Sequence, residues 1–470
     1  LNGKGGFLVP FGKQRRMKLL FSAIALCLVS VATAQGPLTV PPARNAVFRN
    51  VHVIPMDRET VLPGQDVWIR DGRVERISQT GKFPTTGYDL VIDGTGKYLM
   101  PGLAEMHAHV PPIDDIAPMK DVLMLFALNG VTTIRGMLGH PRHLELRQKL
   151  RTGEIPGPRF ITSGPSLSGN SVKTPEDGVR LVEEEKKAGY DFLKLHPGLT
   201  PATFGPIAKR AKELGIPFAG HVSYTVGVQR AIDAGYTTID HMDGFVEWLV
   251  PGIDQIPEQQ AGSFGMFIGY KADLSRLPIL AKSLKEKNIW VVPTQCLFEK
   301  WFSPGDPEYF DRKPEMIYMS RETRNNWVNS KRNIQKNPLF DSAHIVQFMR
   351  IRRTMLKSLY DAGVPILLGS DAPQVFDVPG FSAHDELAYY VMAGLTPFQA
   401  LRTGTVNAGL FMKDENMGLI RENAYADLVL LSANPLQSID ATRRIEGVML
   451  QGRWMDKPFI ENNLRALEKH

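Results

Sequence analysis

Between Pro101 and about Lys413 the chain repeats one rhythm, a short β-branched apolar stretch followed by an amphipathic helical pattern. Eight such stretches stand out: "LAEMHAHV", "GVTTIRGM", "RFITSGP", "DFLKLH", "PFAGHV", "TTIDHMD", "IWVVPTQ" and "PILLGSD". Helical connections are plain in "PATFGPIAKRAKELG" after the fourth and "VGVQRAIDAG" after the fifth. Eight βα units in roughly 300 residues meet the requirement of a closed (β/α)8 TIM barrel. An open doubly wound sheet is the alternative, but no Gly-rich dinucleotide fingerprint follows the first strand. Two connections, Gly244 to Ile279 and Phe302 to about Gln347, exceed what a plain barrel needs. Such insertions shape substrate access or pack a dimer, so a homo-oligomer stays open.

The two ends read differently. Residues 46–97 carry short alternating runs with Asp-Gly turns, and "ADLVLLSANP" and "EGVMLQGRWMD" return near the C-terminus. The expectation is an α/β protein, a TIM barrel over 101–413 with a small β-sandwich domain built from both chain ends, 35–100 and 414–470. The length of 470 residues and 43% hydrophobic content allow a core of that size. A formal charge of +6 is spread along the chain without a dense basic run, which argues against a nucleic-acid partner.

Residues 1–34 fit neither domain. "MKLLFSAIALCLVSVATA", Met17 to Ala34, has the basic start, apolar run and small-residue end of a secretory signal peptide, with cleavage expected after Ala34. Secreted or periplasmic placement follows, with no stable membrane insertion after cleavage. Arg15 and Arg16 leave a twin-arginine export signal as a further reading of the residues before Met17. Cys296 would then be the single cysteine, so no disulfide framework is expected.

The strand ends carry the chemistry. His107 and His109 are two positions apart, so an extended strand presents both imidazoles on one face. Lys194 ends the fourth strand, His221 the fifth, His241 the sixth and Asp371 the eighth. Side chains at the C-terminal ends of barrel strands converge on one site. Singly each has an ordinary role: buried histidines bond to carbonyls, a lysine can extend to solvent, and Ser-Asp at a strand end caps the next helix. Together, histidines on adjacent strands can hold a metal, and a carboxylate can both ligate and accept a proton. Lys194 lies in an apolar strand where an unpaired charge is costly; beside two divalent cations its neutral amine could capture carbon dioxide and become an anionic ligand.

The ordered set His-x-His, Lys, His, His, Asp resembles the metal-dependent amidohydrolase superfamily, in its two-metal branch with a carboxylated lysine. "DGTGKYLMPGL" before "HAH" and "GLTPFQALRTGTVNAGLF" after the eighth strand are similar to family joins. The resemblance implies two divalent metal ions, zinc in the first instance. His107, His109 and Asp371 would hold one, His221 and His241 the other, with carboxylated Lys194 as bridge. It further implies attack by a hydroxide held between the metals, with Asp371 as catalytic proton shuttle. "GVTTIR" and the "GPR…SGP" approach look like the prolidase and carboxypeptidase-like branch. The chain departs from that branch at "KLHPGLT", where a Gly-Gly turn is usual, and at "SGNSVKTPED", where a Gly-Gly-His is usual.

The substrate implied is a small-molecule amide or peptide, such as an N-acyl amino acid or dipeptide. By the same resemblance Tyr224 and His140 would bind a free substrate carboxylate; their ordinary readings are a helix start and a turn before Pro141. A lactonase, esterase or phosphotriesterase-like enzyme could use the same metals. An imidazolonepropionase-like enzyme or deaminase fits less well, because such relatives lack the bridging lysine, and a non-catalytic binding protein would be expected to have lost ligands.

Overall fold

The computed structural model describes residues 41–42 and 44–469. The expected signal peptide, Met17 to Ala34, lies outside the described residues. Five strands come first: β1 (Ala46–Val53), β2 (Leu62–Arg70), β3 (Arg73–Gln79), β4 (Leu90–Asp93) and β5 (Tyr98–Pro101). Asp71 and Gly72 both have positive φ, 50° and 71°, which supplies the two-residue turn between β2 and β3. Seven parallel strands follow: β6 (Leu103–Ala108), β7 (Val131–Gly136), β8 (Arg159–Thr162), β9 (Leu193–Leu195), β10 (Phe218–Gly220), β11 (Thr238–Asp240) and β12 (Trp290–Val292). The chain closes with β13 (Leu428–Leu431), β14 (Ile445–Leu450) and β15 (Arg453–Asp456).

Both ends join one sheet, in the order β15-β14-β13-β5-β1-β2-β3, with β4 also on β1. Separate facing sheets, as a sandwich would have, are not resolved among the described residues. The sheet nevertheless rolls onto itself. Phe48 of β1 and Trp454 of β15 meet edge to face with ring centroids 5.3 Å apart, although three strands separate them in the order. On a flat sheet four strand spacings would part them by about 19 Å. The Arg44 N–H also donates to the Gly452 carbonyl across this roll at 3.0 Å. Phe48, Val67, Leu428 and Met449 form its own apolar core.

The parallel strands form the TIM-barrel-like α/β body. β6 to β8 and β9 to β12 make two ladders, joined by bridges at Ser163–Phe192 and Leu167–Leu195. Beyond β12, Val291 bridges to Ile366, and the Met106 N–H donates to the Leu368 carbonyl at 2.8 Å, which returns the eighth segment to β6. That segment is not a regular strand, contrary to the pattern of "PILLGSD". Pro365 has no N–H, and the Leu368 N–H turns aside to the Thr403 carbonyl at 3.1 Å, so the ladder is broken. Gly369 is required here: a Cβ would lie 2.8 Å from the His107 Cβ.

Helices are set by their ends. Thr174 and Thr200 each close a capping box ahead of a proline at the first helical position, opening Pro175–Ala188 and Pro201–Leu214. Gly189 and Gly215 end them in the left-handed conformation. The two long connections are largely helical rather than open loops. The first contains helix Phe245–Leu249 and several single turns; the second contains helix Arg321–Gln335 and packs Trp327 and Phe310 against Phe376. Among the described residues no helix is long and apolar enough to cross a membrane.

Candidate metal centre

β6 ends with His107 fully buried and His109 one step beyond it. Both turn to the same acceptor: Asp371 Oδ1 is 2.6 Å from His109 Nε2 and 3.1 Å from His107 Nε2. Lys194, buried at the centre of β9, brings Nζ to 3.5 Å from His107 Nε2. Its stem passes Gly220, where a Cβ would be 2.9 Å from the Lys194 Cδ. The His241 ring lies 4.5 Å from that of His107 and 4.4 Å from that of His221, centroid to centroid. The six strand-end residues therefore form one cluster.

The cluster fits a cation. One ligand atom each from His107, His241 and Asp371 lie within 4.8 Å of one another, all buried. His241 Nε2 is buried without a hydrogen-bond partner, a cost that coordination would remove. Burial pushes the imidazoles of His221 and His241 well below the usual histidine range, which keeps them neutral as ligands must be. Burial opposes ionisation of Asp371, but His107 and His109 overcome it and hold its carboxyl well below the usual range. Burial draws the Lys194 amine down to about 8 against the pull of Asp240 and Asp371.

A second layer orients these groups. Asp240 Oδ2 is 3.2 Å from His107 Nδ1, while Oδ1 accepts from the buried Arg135 at 3.3 Å. Asp243 Oδ2 is 3.0 Å from His221 Nδ1 and accepts the Val222 N–H. Thr294 Oγ1 is 2.8 Å from His241 Nδ1, and Arg352 donates to the His241 carbonyl at 2.9 Å. Such partners fix ring orientation and ligand basicity. His241, Thr294 and Asp371 take φ of 63°, 47° and 71° without being glycine, strain that costs about 1–3 kcal/mol each where the surroundings impose it. Sequence reasoning missed Asp240, Asp243, Thr294 and Arg135. It also missed His196, whose ring stands 4.9 Å from that of His221. The signals were present: Asp240 and Asp243 flank His241 in "TIDHMD", and His196 shares the strand face of Lys194 in "KLH".

A cavity of about 970 Å³ has Asp243, Phe264, Tyr224 and Glu247 among its walls; none of the six cluster residues lines it, and Asp243, bonded to His221, and Phe264 link the two. The Phe264 ring is 6.0 Å from that of His221 and 5.6 Å from that of His241. The Tyr224 hydroxyl donates to the Ile256 carbonyl at 2.7 Å. His140 stands apart from the cavity's walls: its Nδ1 accepts the Arg142 N–H at 3.3 Å and caps helix Pro141–Thr152.

A buried His–His–Asp group beside the ends of parallel strands, in a TIM-barrel-like body, has the make-up of a metal-dependent hydrolase site. Residues 98–455 match the Amidohydrolase family profile, and the chain belongs to that family. Among solved structures, a bottromycin amidohydrolase superposes with a TM-score of 0.68 at 22% identity, over 90% of this chain and 91% of that one. A Xaa-Pro dipeptidase with bound methionine gives 0.63 at 17% identity, over 88% and 100%. The ochratoxinase of A. niger gives 0.61 at 19%, over 88% and 96%. By sequence, the adenine deaminase of Ruegeria pomeroyi is 25% identical over 210 residues, 42% of this chain and 34% of that protein. That of Mesorhizobium japonicum is 24% identical over 230 residues, 43% and 37%. The chain spans about a third of the length of these two curated relatives, 34% and 37%.

Proposed function

We propose that the chain is a two-metal amidohydrolase that cleaves amide bonds of N-acyl amino acids, dipeptides or related small amides, on a closed (β/α)8 barrel and after export from the cytoplasm. The observation that carries this reading is Lys194, a buried amine 3.5 Å from His107 Nε2 inside a set of histidines and a carboxylate. An ammonium there faces burial and nearby imidazoles; a carbamate on Nζ makes it an anionic ligand. His107, His109 and Asp371 would hold one divalent ion, His221 and His241 the other, with carboxylated Lys194 between them and zinc as the first candidate. When bound, these ions supply water activation and polarisation of the scissile carbonyl.

The chain's own residues do the rest. In this reading Asp371, whose Oδ1 lies 2.6 Å from His109 Nε2, would take the proton of the attacking water and deliver it to the leaving nitrogen. The hydrogen bonds of Asp243 and Thr294 hold the imidazoles of His221 and His241 in fixed orientations, and Asp240 sets a negative charge 3.2 Å from His107 Nδ1, so little reorganisation is needed. The cavity that Asp243 and Phe264 link to the cluster would take the substrate.

A deaminase is the second reading, favoured by the sequence match to adenine deaminases. Both break a C–N bond. A panel of dipeptides, N-acyl amino acids and adenine, offered to the metal-loaded protein with amine and ammonia release measured, separates them. Cleavage of adenine alone would overturn the amide reading.

A further inference from the structure

The cavity that Asp243 links to the metal centre is rich in acid. Asp243, Glu247, Asp254 and Glu258 line it, against one base, Arg230. Arg230 is committed elsewhere, donating to the Val226 carbonyl at 3.0 Å and the Thr225 carbonyl at 3.4 Å. Asp243 is committed to His221 and the Val222 N–H. Glu247 has no such partner. It is 9% exposed, and its Oε2 is buried without a hydrogen bond.

Asp243 and Glu258 share the cavity wall with it, and Arg352 is a cation that favours its ionised form. The Arg352 guanidinium is spent on the carbonyls of His241 and Pro293 and the Gln295 side chain. Burial, with Asp243 alongside, raises Glu247 to about 8 against the opposing pull of Arg352. The acids do not converge as a metal cage would: among the described residues, the group of ligand atoms close enough for an ion is the one at His107, His241 and Asp371. The same walls carry the rings of Tyr224, Trp248 and Phe264, and carboxylates together with aromatic faces suit an organic cation better than a point charge.

We infer that this cavity receives a positively charged group of the substrate, the ammonium or guanidinium of a lysine- or arginine-like side chain next to the scissile bond, with Glu247 as its ion-pair partner and Glu258 and Asp254 nearer the rim. The inference rests on the amide-hydrolase reading and names its substrate class.

The test has two arms on the full metal-loaded chain. In the first, hydrolysis of dipeptides containing lysine is compared with that of the same dipeptides containing norleucine, which differs chiefly by lacking the ammonium, and glutamate. Lysyl substrates should exceed norleucyl ones by about tenfold or more in kcat/KM, mainly through KM, and glutamyl ones should be poorest. Glu247→Gln should bring the lysyl rate down toward the norleucyl rate; Glu258→Gln, a change at an exposed position, should do so in part and guards against a Glu247 variant that fails to fold. Equal lysyl and norleucyl rates, or a glutamyl preference, overturn the inference while leaving amide hydrolysis standing. In the second arm, calorimetric titration with agmatine reads the cavity without turnover. If no dipeptide is cleaved, the amide reading fails. Agmatine binding that weakens in Glu247→Gln then still supports a cation site, and absent binding overturns it.

Discussion

The hydroxyl of Thr294 lies 2.8 Å from His241 Nδ1, and both residues hold a left-handed backbone that side chains seldom adopt. The chain thus tolerates local strain at two positions to aim one imidazole. With Nδ1 engaged, Nε2 is the nitrogen left free for a cation. Thr294→Val should lower metal affinity by about 10–100-fold, and Thr294→Ser should restore most of it. Competition with a graded chelator reads this directly. Equal metal retention in wild type and Thr294→Val would remove the hydroxyl from the ligand's support.

Lys194 makes a separate claim. Labelling with 13C-bicarbonate should give a carbamate carbon signal in the wild-type protein and none in Lys194→Ala. The same substitution should reduce bound metal and remove measurable turnover, as should exhaustive chelation of the wild type. Wild type with no carbamate signal, and Lys194→Ala with full metal content, would end the bridging role.

For Asp371 the expected effect is on chemistry more than on binding. Asp371→Asn keeps a ligating oxygen and the backbone N–H bond to the His107 carbonyl but loses the proton acceptor. Turnover should fall by about 10²–10⁴-fold with part of the metal retained. Metal analysis run beside the kinetics separates the two contributions. Turnover at the wild-type level would exclude Asp371 as the shuttle.

Much of this site is legible in the sequence because a TIM-barrel-like arrangement of parallel strands turns strand order into spatial convergence. His107, Lys194, His221, His241 and Asp371 need only sit at strand ends to meet, and "HAH" on one strand fixes the starting face. The second layer is harder to read. Asp240 and Asp243 sit next to a ligand in the sequence, but their partners are His107, on a distant strand, and His221, on a neighbouring one, and no local pattern states those pairings. Thr294 and Arg352 serve His241 from other elements altogether. The irregular eighth segment escapes pattern reading for a related reason: its β-branched and apolar residues look like a strand, while Pro365 and the diversion of the Leu368 N–H to Thr403 break the ladder. His140 shows the converse. The resemblance marks it as a substrate-binding candidate, and with Pro141 after it the same residue also makes a helix cap.

Away from the site, Glu185 predicts how stability depends on pH. It sits in helix Pro175–Ala188, 4% exposed, against Gly164, where a Cβ would come within 2.7 Å of its Cγ; its Oε2 has no partner. Burial raises its carboxyl to about 8, against an ordinary value of 4.5. Between those values the folded chain keeps a proton that the unfolded chain releases, so unfolding becomes easier as pH rises. The contribution is fully present below pH 4.5 and is lost as pH climbs through about 8. Glu185→Gln keeps the size of the side chain and removes the ionisation, so it should match wild type near the acid end of this window and exceed it progressively above. The gain should reach on the order of 2–5 kcal/mol at the alkaline end. Urea midpoints measured across that range for both proteins provide the check, and the gap between them should widen with pH. Parallel curves would mean that Glu185 is ionised in the native fold at neutral pH or reaches solvent, contrary to its buried position.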